Sequence, residues 1–252
     1  MKKLLVFIAI LSAAHSLGAQ GYVFGIKGGP SFGLQNWGNS FQRDPMIRYH
    51  GDVFIESLPE GDQWSLFAQV GYHARGSAIR NRNFINPLNG NFFRPPADVF
   101  LFHNAALVLG AKQKFDLGLS SKWFYTFGIR GEYTVDTNLD RYDTFIELNP
   151  TIVGFYPINV YFEDDGFLGI RRIHYGFSGG AGLEWQFSEF IGASLEFTIN
   201  PDFSMQYTQP AISGVRDPWS GESRTIPERR IRNLTLEITA AFRFLRKIEY
   251  ID

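Results

Sequence analysis

Three histidines, His50, His73 and His174, sit in stretches that also carry carboxylates. A histidine beside Asp or Glu is the pairing that general acid–base and nucleophilic catalysis draw on. That chemistry also needs a nucleophile and an orienting group within hydrogen-bond reach, and no nucleophile motif accompanies these three. The ionisable residues around them carry both signs. Lys27, Arg48, Arg75, Lys112, Arg130, Arg172 and Arg243 stand against Asp52, Glu56, Glu132, Glu184, Glu196 and Glu237. Charges removed from water must be paired, and a nearly balanced set of this kind reads as an interlocked interior network. Glu163-Asp164-Asp165 lacks the spacing of a calcium loop, so neither a metal nor a cofactor is expected.

The elements that carry these residues are strands. In Trp123–Val135, WFYTFGIRGEYTV, the residues Trp123, Tyr125, Phe127, Ile129, Tyr133 and Val135 share one face. Thr126, Gly128, Arg130, Glu132 and Thr134 share the other. A period of two is a β-strand. The same alternation runs through Tyr22–Leu34, Ile47–Ser57, Gln63–Ile79, Arg172–Phe187, Phe190–Tyr207 and Arg229–Leu245, and more weakly through Asp98–Gln113. In each, the polar face holds the ionisable residues, with Arg172 and His174 sharing one face.

The connections alternate long and short. Residues 35–46, 80–97, 136–171 and 208–228 are long and polar. Leu58–Asp62, Lys114–Lys122 and Ser188-Glu189 are short, and the last is a hairpin turn. An even number of strands with every long loop at one end is the signature of a transmembrane β-barrel. The expected fold is all-β, an eight-stranded antiparallel up-and-down transmembrane barrel with long extracellular loops over 20–245. Its interior is wide enough only for side chains, which favours a filled lumen over a pore.

Residues 1–19 read as a secretory signal peptide: Lys2 and Lys3, an apolar Leu4–Ala14, then Leu17-Gly18-Ala19. Residues 246–252 form a short periplasmic tail. The chain has no cysteine and a formal charge of −1, so no basic footprint for nucleic acid exists. Past residue 19, no apolar run approaches the ~20 residues of a membrane helix. The location expected is the cell outer membrane.

Three segments carry a family resemblance: GIKGGPSFG at Gly25–Gly33, the Gly-Tyr-x-x-x-Gly of Gly71–Gly76, and a last strand ending Phe242-Arg243-Phe244. With them the chain resembles the PorT-like small outer-membrane β-barrels common in Bacteroidetes, related in architecture to OmpA and OmpX. The resemblance implies the fold and the outer membrane, and no single activity. The third long connection adds TIVGFYPINVYF and GFLGI. Its Ile152, Val153, Phe155, Tyr156, Ile158, Val160, Tyr161, Phe162, Phe167 and Leu168 are a candidate partner-binding surface, since exposed apolar patches mark interaction sites. The chain therefore reads as a non-enzymatic accessory or structural subunit of an outer-membrane assembly. Outer-membrane lipid and other outer-membrane or surface proteins are its expected partners. A stand-alone barrel of the OmpX kind is the second reading and a rim-located enzyme the third.

Overall fold

The computed structural model describes residues 19–36, 43–59, 63–79, 84–85, 92–93, 98–118, 120–138, 169–216, 221–226 and 228–247. Eight strands make the wall: β1 (Ala19–Asn36), β2 (Arg43–Pro59), β3 (Trp64–Ile79), β4 (Asp98–Asp116), β5 (Ser121–Thr137), β6 (Ile173–Gln186), β7 (Ile191–Pro201) and β8 (Arg229–Lys247). Each pairs antiparallel with the next, and β8 closes on β1. Closure leaves the wall no free edge.

The register fixes the barrel's shape. From Tyr133 on β5 the pairing runs through Ala105, Tyr72, Gly51, Gly28, Ala240, Leu195 and Leu183, and returns to β5 at Trp123. One circuit therefore shifts by ten residues. With ~3.3 Å per residue and ~4.8 Å between strands, that stagger tilts the strands by about 40° and sets a backbone radius of about 8 Å. Side chains fill a cylinder that narrow.

The wall is inverted relative to a soluble protein. Ile129 is 64% exposed while its neighbour Arg130 is 1% exposed. Val53, Val70, Leu109 and Leu195 face outward in the same way. Water would penalise the apolar outer face of such a wall, and a bilayer satisfies it, while the inward charges satisfy one another. Aromatic belts bound the apolar band. Tyr22, Trp64, Trp123, Tyr125 and Phe244 ring the end with the short turns, where Phe115 stacks on Trp123 at 4.5 Å. Tyr49, Tyr72, Tyr133 and Tyr175 ring the other end. Trp123 and Tyr133 are ten residues apart on one strand. At ~2.5 Å of height per tilted residue the belts stand about 25 Å apart, the height of a lipid-facing band. The barrel spans a membrane.

Above the upper belt the pattern returns to that of a soluble protein. On β8, Arg230 and Arg232 are exposed and Ile231 is buried, whereas two residues lower Leu234 is exposed and Asn233 buried. Phe100, Phe102, Ile170, Tyr207 and Ile231 form a dry core at this end, each at most 2% exposed.

Several boundaries differ from the sequence reading. β1 reaches Asn36 by pairing with β8 and β2 starts at Arg43 by pairing with β3, so residues 35–36 and 43–46 are strand. The long connections carry small hairpins of their own, Phe84–Ile85 with Phe92–Phe93 and Ile212–Arg216 with Ser223–Ile226. β7 ends at Pro201; after a break the ladder resumes at Tyr207–Gln209, held between Gly169–Ile170 and β8. The turn after β6 spans 187–190 and is closed by Phe187 N–H donating to the Ile191 carbonyl at 2.9 Å.

The band makes a graded prediction for unfolding in phospholipid vesicles. Ile129→Arg, near the midplane, is expected to cost about 2–4 kcal/mol, and Ile173→Arg, above the upper belt, about 0–1 kcal/mol. Guanidinium titration of the two variants checks this, and equal losses would place the bilayer elsewhere.

Candidate functional site: the lumen

The inward residues form two ion clusters stacked along the axis. Near the short-turn end, Glu56 meets Lys112 at 2.9 Å, Lys114, and Arg243 at 3.7 Å. Glu184 meets the same three cations, at 3.0 Å from Arg243 and 3.6 Å from each lysine. Ser65 donates to Glu56 at 2.9 Å, and the Lys112 ammonium lies 4.1 Å from the centre of the Phe124 ring. Three cations thus surround two carboxylates. Lys27 and Glu196 pair at 3.3 Å above them, and Thr126 donates to Glu196 at 2.9 Å. A cavity of about 20 Å³ lies between these layers, lined by Lys27, Glu56, Gln69, Lys112 and Glu196. That is room for about one water.

The upper cluster is acidic. His73 has Glu237 at 2.8 Å from Nδ1 and Asp52 at 3.0 Å from Nε2. Arg75 lies 2.6 Å from Glu132, 3.6 Å from Asp202 and 3.9 Å from Glu237. Arg130 lies 3.1 Å from Glu132 and also pairs with Asp202. Amide and hydroxyl groups fill the gaps. Asn200 donates to Glu237 at 2.8 Å and Asn104 to Glu132 at 3.3 Å. Ser77 donates to Gln35 at 2.7 Å, Gln35 to Asn233 at 2.9 Å, and Asn233 to Asp202 at 3.0 Å. This chain of amides links the ion cluster to the dry core above it.

Two glycines of the motif segments let the wall close here. A Cβ at Gly33 would stand 3.1 Å from the Gly76 nitrogen, so β1 and β3 approach at this level as only glycines allow. A Cβ at Gly71 would overlap the Asp52 carboxylate, which turns toward His73.

Of the sequence-derived network, Lys27, Asp52, Glu56, Arg75, Lys112, Arg130, Glu132, Glu184, Glu196, Glu237 and Arg243 come together inside. Arg48 is half-buried and donates to the carbonyl of Ile47 at 3.0 Å instead. Arg172 was expected to share a face with His174. It belongs outside: its guanidinium lies 5.9 Å from the ring of Tyr133, which faces lipid, because the β6 ladder begins only at Ile173. His50 and His174 are buried and bond to Thr239 at 2.9 Å and Thr134 at 2.7 Å. Asp202 and Lys114 were missed. Each lies two residues past an inward position, Asn200 and Lys112, so the period of two points to both. Lys114 falls one residue past the strand end read at Gln113, and Asp202 lies within Phe190–Tyr207 but beyond Pro201, where the ladder breaks. Among the described residues no group of three or more His, Asp or Glu could hold a metal ion. Residues 152–168, the candidate partner-binding stretch, lie outside the described residues.

Similar architectures occur among solved structures. The outer membrane protein OprG from Pseudomonas aeruginosa is 10% identical with a TM-score of 0.49, covering 91% of this chain and 97% of its own. Neisserial surface protein A is 10% identical with a TM-score of 0.43, covering 90% and 98%. The outer membrane protease OmpT from Escherichia coli is 10% identical with a TM-score of 0.43, covering 92% and 98%. No protein-family model and no curated protein matches the chain.

Breaking a buried pair strands its partners, at about 3–5 kcal/mol. Glu56→Gln, which leaves Lys112, Lys114 and Arg243 facing one carboxylate, is expected to lose that much in vesicle unfolding. Arg48→Ala, which removes a backbone contact, is expected to lose less than about 1 kcal/mol.

Proposed function

We propose that this chain is a non-enzymatic, non-conducting outer-membrane barrel of the PorT-like kind. It acts as an accessory or structural subunit of a larger assembly for secretion, barrel insertion or uptake. The filled lumen is the observation that supports this reading. Ion clusters, an amide chain and a dry core occupy the axis from one belt to beyond the other. Of the three histidines with catalytic potential by type, His50 and His174 are bonded to threonines and His73 is held between Asp52 and Glu237, all inside it. What remains for function is the lipid-facing wall and the rim.

The rim supports the same reading. β4, β5 and β8 run 17 to 19 residues, past the ~9–11 that cross a bilayer, and lift their ends into solvent. The aromatic and aliphatic content of Ile152–Phe162 and Phe167-Leu168 suits an interface anchor. In this proposal residues 1–19 direct export and are removed.

Extraction of the native protein in mild detergent tests the proposal. A particle of fixed composition containing other chains is the expected result, and a lone barrel of monomer mass would favour the stand-alone reading. Purified barrel in planar bilayers is expected to show no stepwise conductance, and reproducible single-channel steps would overturn the non-conducting half of the proposal.

A further inference from the structure

The lipid-facing wall is not uniformly convex. Across β1 to β4 it carries an open cavity of about 570 Å³, lined by Tyr22, Ile55, Ser57, Leu66, Ala68 and Leu109. The register explains the hollow. Ile55 on β2 pairs with Ala68 on β3, and Ala68 pairs with Leu109 on β4. A methyl group thus stands between two branched side chains in one row of the wall. Two residues lower on β3, Leu66 pairs with a second alanine, Ala111. Side chains stand roughly perpendicular to a sheet, so short ones leave a trough between long ones.

The trough lies within one leaflet. Tyr22 belongs to the belt at the short-turn end. Two residues on, Phe24 pairs with Ile55, and that row runs through Ala68 and Leu109 to Ile129, near the midplane. At ~2.5 Å of height per residue and ~3 Å per strand crossed, Leu109 stands about 14 Å above Tyr22. Half of a ~30 Å hydrocarbon core has that depth. The hydroxyls at the lower end are already engaged. Ser57 Oγ accepts from the Leu66 N–H at 2.9 Å, and the Tyr22 hydroxyl accepts from Arg246 at 3.3 Å. What enters the trough therefore needs only hydrocarbon. Width decides which hydrocarbon. Ile55 and Leu109 stand two strand spacings apart, ~10 Å between backbones, with their own side chains inside that distance. A partner's transmembrane helix is ~10–12 Å across and does not enter. An extended acyl chain does.

We propose that this trough holds one acyl chain of a phospholipid from the leaflet on the short-turn side. The ester end lies at Tyr22 and the methyl end at Leu109. Lipid tails are as apolar as leucine, so van der Waals contact on three sides, and not escape from water, holds the chain. The head group takes no part.

Native mass spectrometry of the full barrel tests this, with the barrel released from micelles doped with dipalmitoyl phosphatidylethanolamine, phosphatidylglycerol or phosphatidylcholine. One lipid per barrel is expected, whichever head group is supplied. Ala68→Phe fills the trough and is expected to lose that lipid. Ala240→Phe, at an outward alanine of β8, is expected to keep it. Folding is read from heat-modifiable gel mobility; should Ala68→Phe not fold, Ala68→Leu carries the test with the same expected loss. A wild-type barrel without lipid, a lipid kept by the folded Ala68 variant, or equal loss from the Ala240 variant would each overturn the proposal. So would retention confined to one head group, or a polypeptide held in place of the lipid.

Discussion

Side chains that point into a closed eight-stranded cylinder have only one another for partners. At a stagger of ten the opposite walls are about 16 Å apart, too close for a water-filled channel once side chains enter. Each charge placed inside must therefore find its counter-charge across that gap. Arg75 on β3 reaches Glu132 on β5, and His73 on β3 reaches Glu237 on β8. These crossings tie together strands that never pair in the wall. The register, the tilt and the ion network consequently depend on one another: a slip of one strand would turn its lumen charges toward lipid.

Two departures from regular alternation do much of the positioning. The break after Pro201 holds Asp202 at the wall, bridged to Gly176, where it meets Arg75 and Arg130. A bulge at Val135, skipped where His103 pairs with Asp136 and Asn104 with Thr134, turns Asp136 outward above Tyr133. Both sit near the upper belt, where the wall changes from apolar-outside to apolar-inside. A membrane barrel that projects beyond its bilayer has to make this change somewhere, and a local defect allows neighbouring strands to make it at different heights.

The charge distribution follows the same axis. The end with short turns gathers three cations about two carboxylates, and the upper cluster gathers four carboxylates about two arginines and His73. The lumen is thus a polar plug with a direction, closed above by Phe100, Phe102 and Ile231. A plug of that kind leaves interaction with lipid and with other chains to the wall and rim, which is where the proposed function lies.

Alternation alone, as in Trp123–Val135, determined the strands, their number, the faces and most of the lumen charges, because a period of two is local and each residue reports it independently. Long and short connections determined the up-and-down order for the same reason. Tertiary structure decided what depends on two strands meeting. It showed that Arg48 bonds to a backbone carbonyl, that Arg172 lies over Tyr133 outside the barrel, and that Asp202 completes the arginine cluster. It also joined Gly33 to Gly76, two motif glycines 43 positions apart whose contact no single strand records. Pairing register is set by the closure of the whole cylinder, and a bulge shifts every facing beyond it, so neither can be read from one strand's own residues.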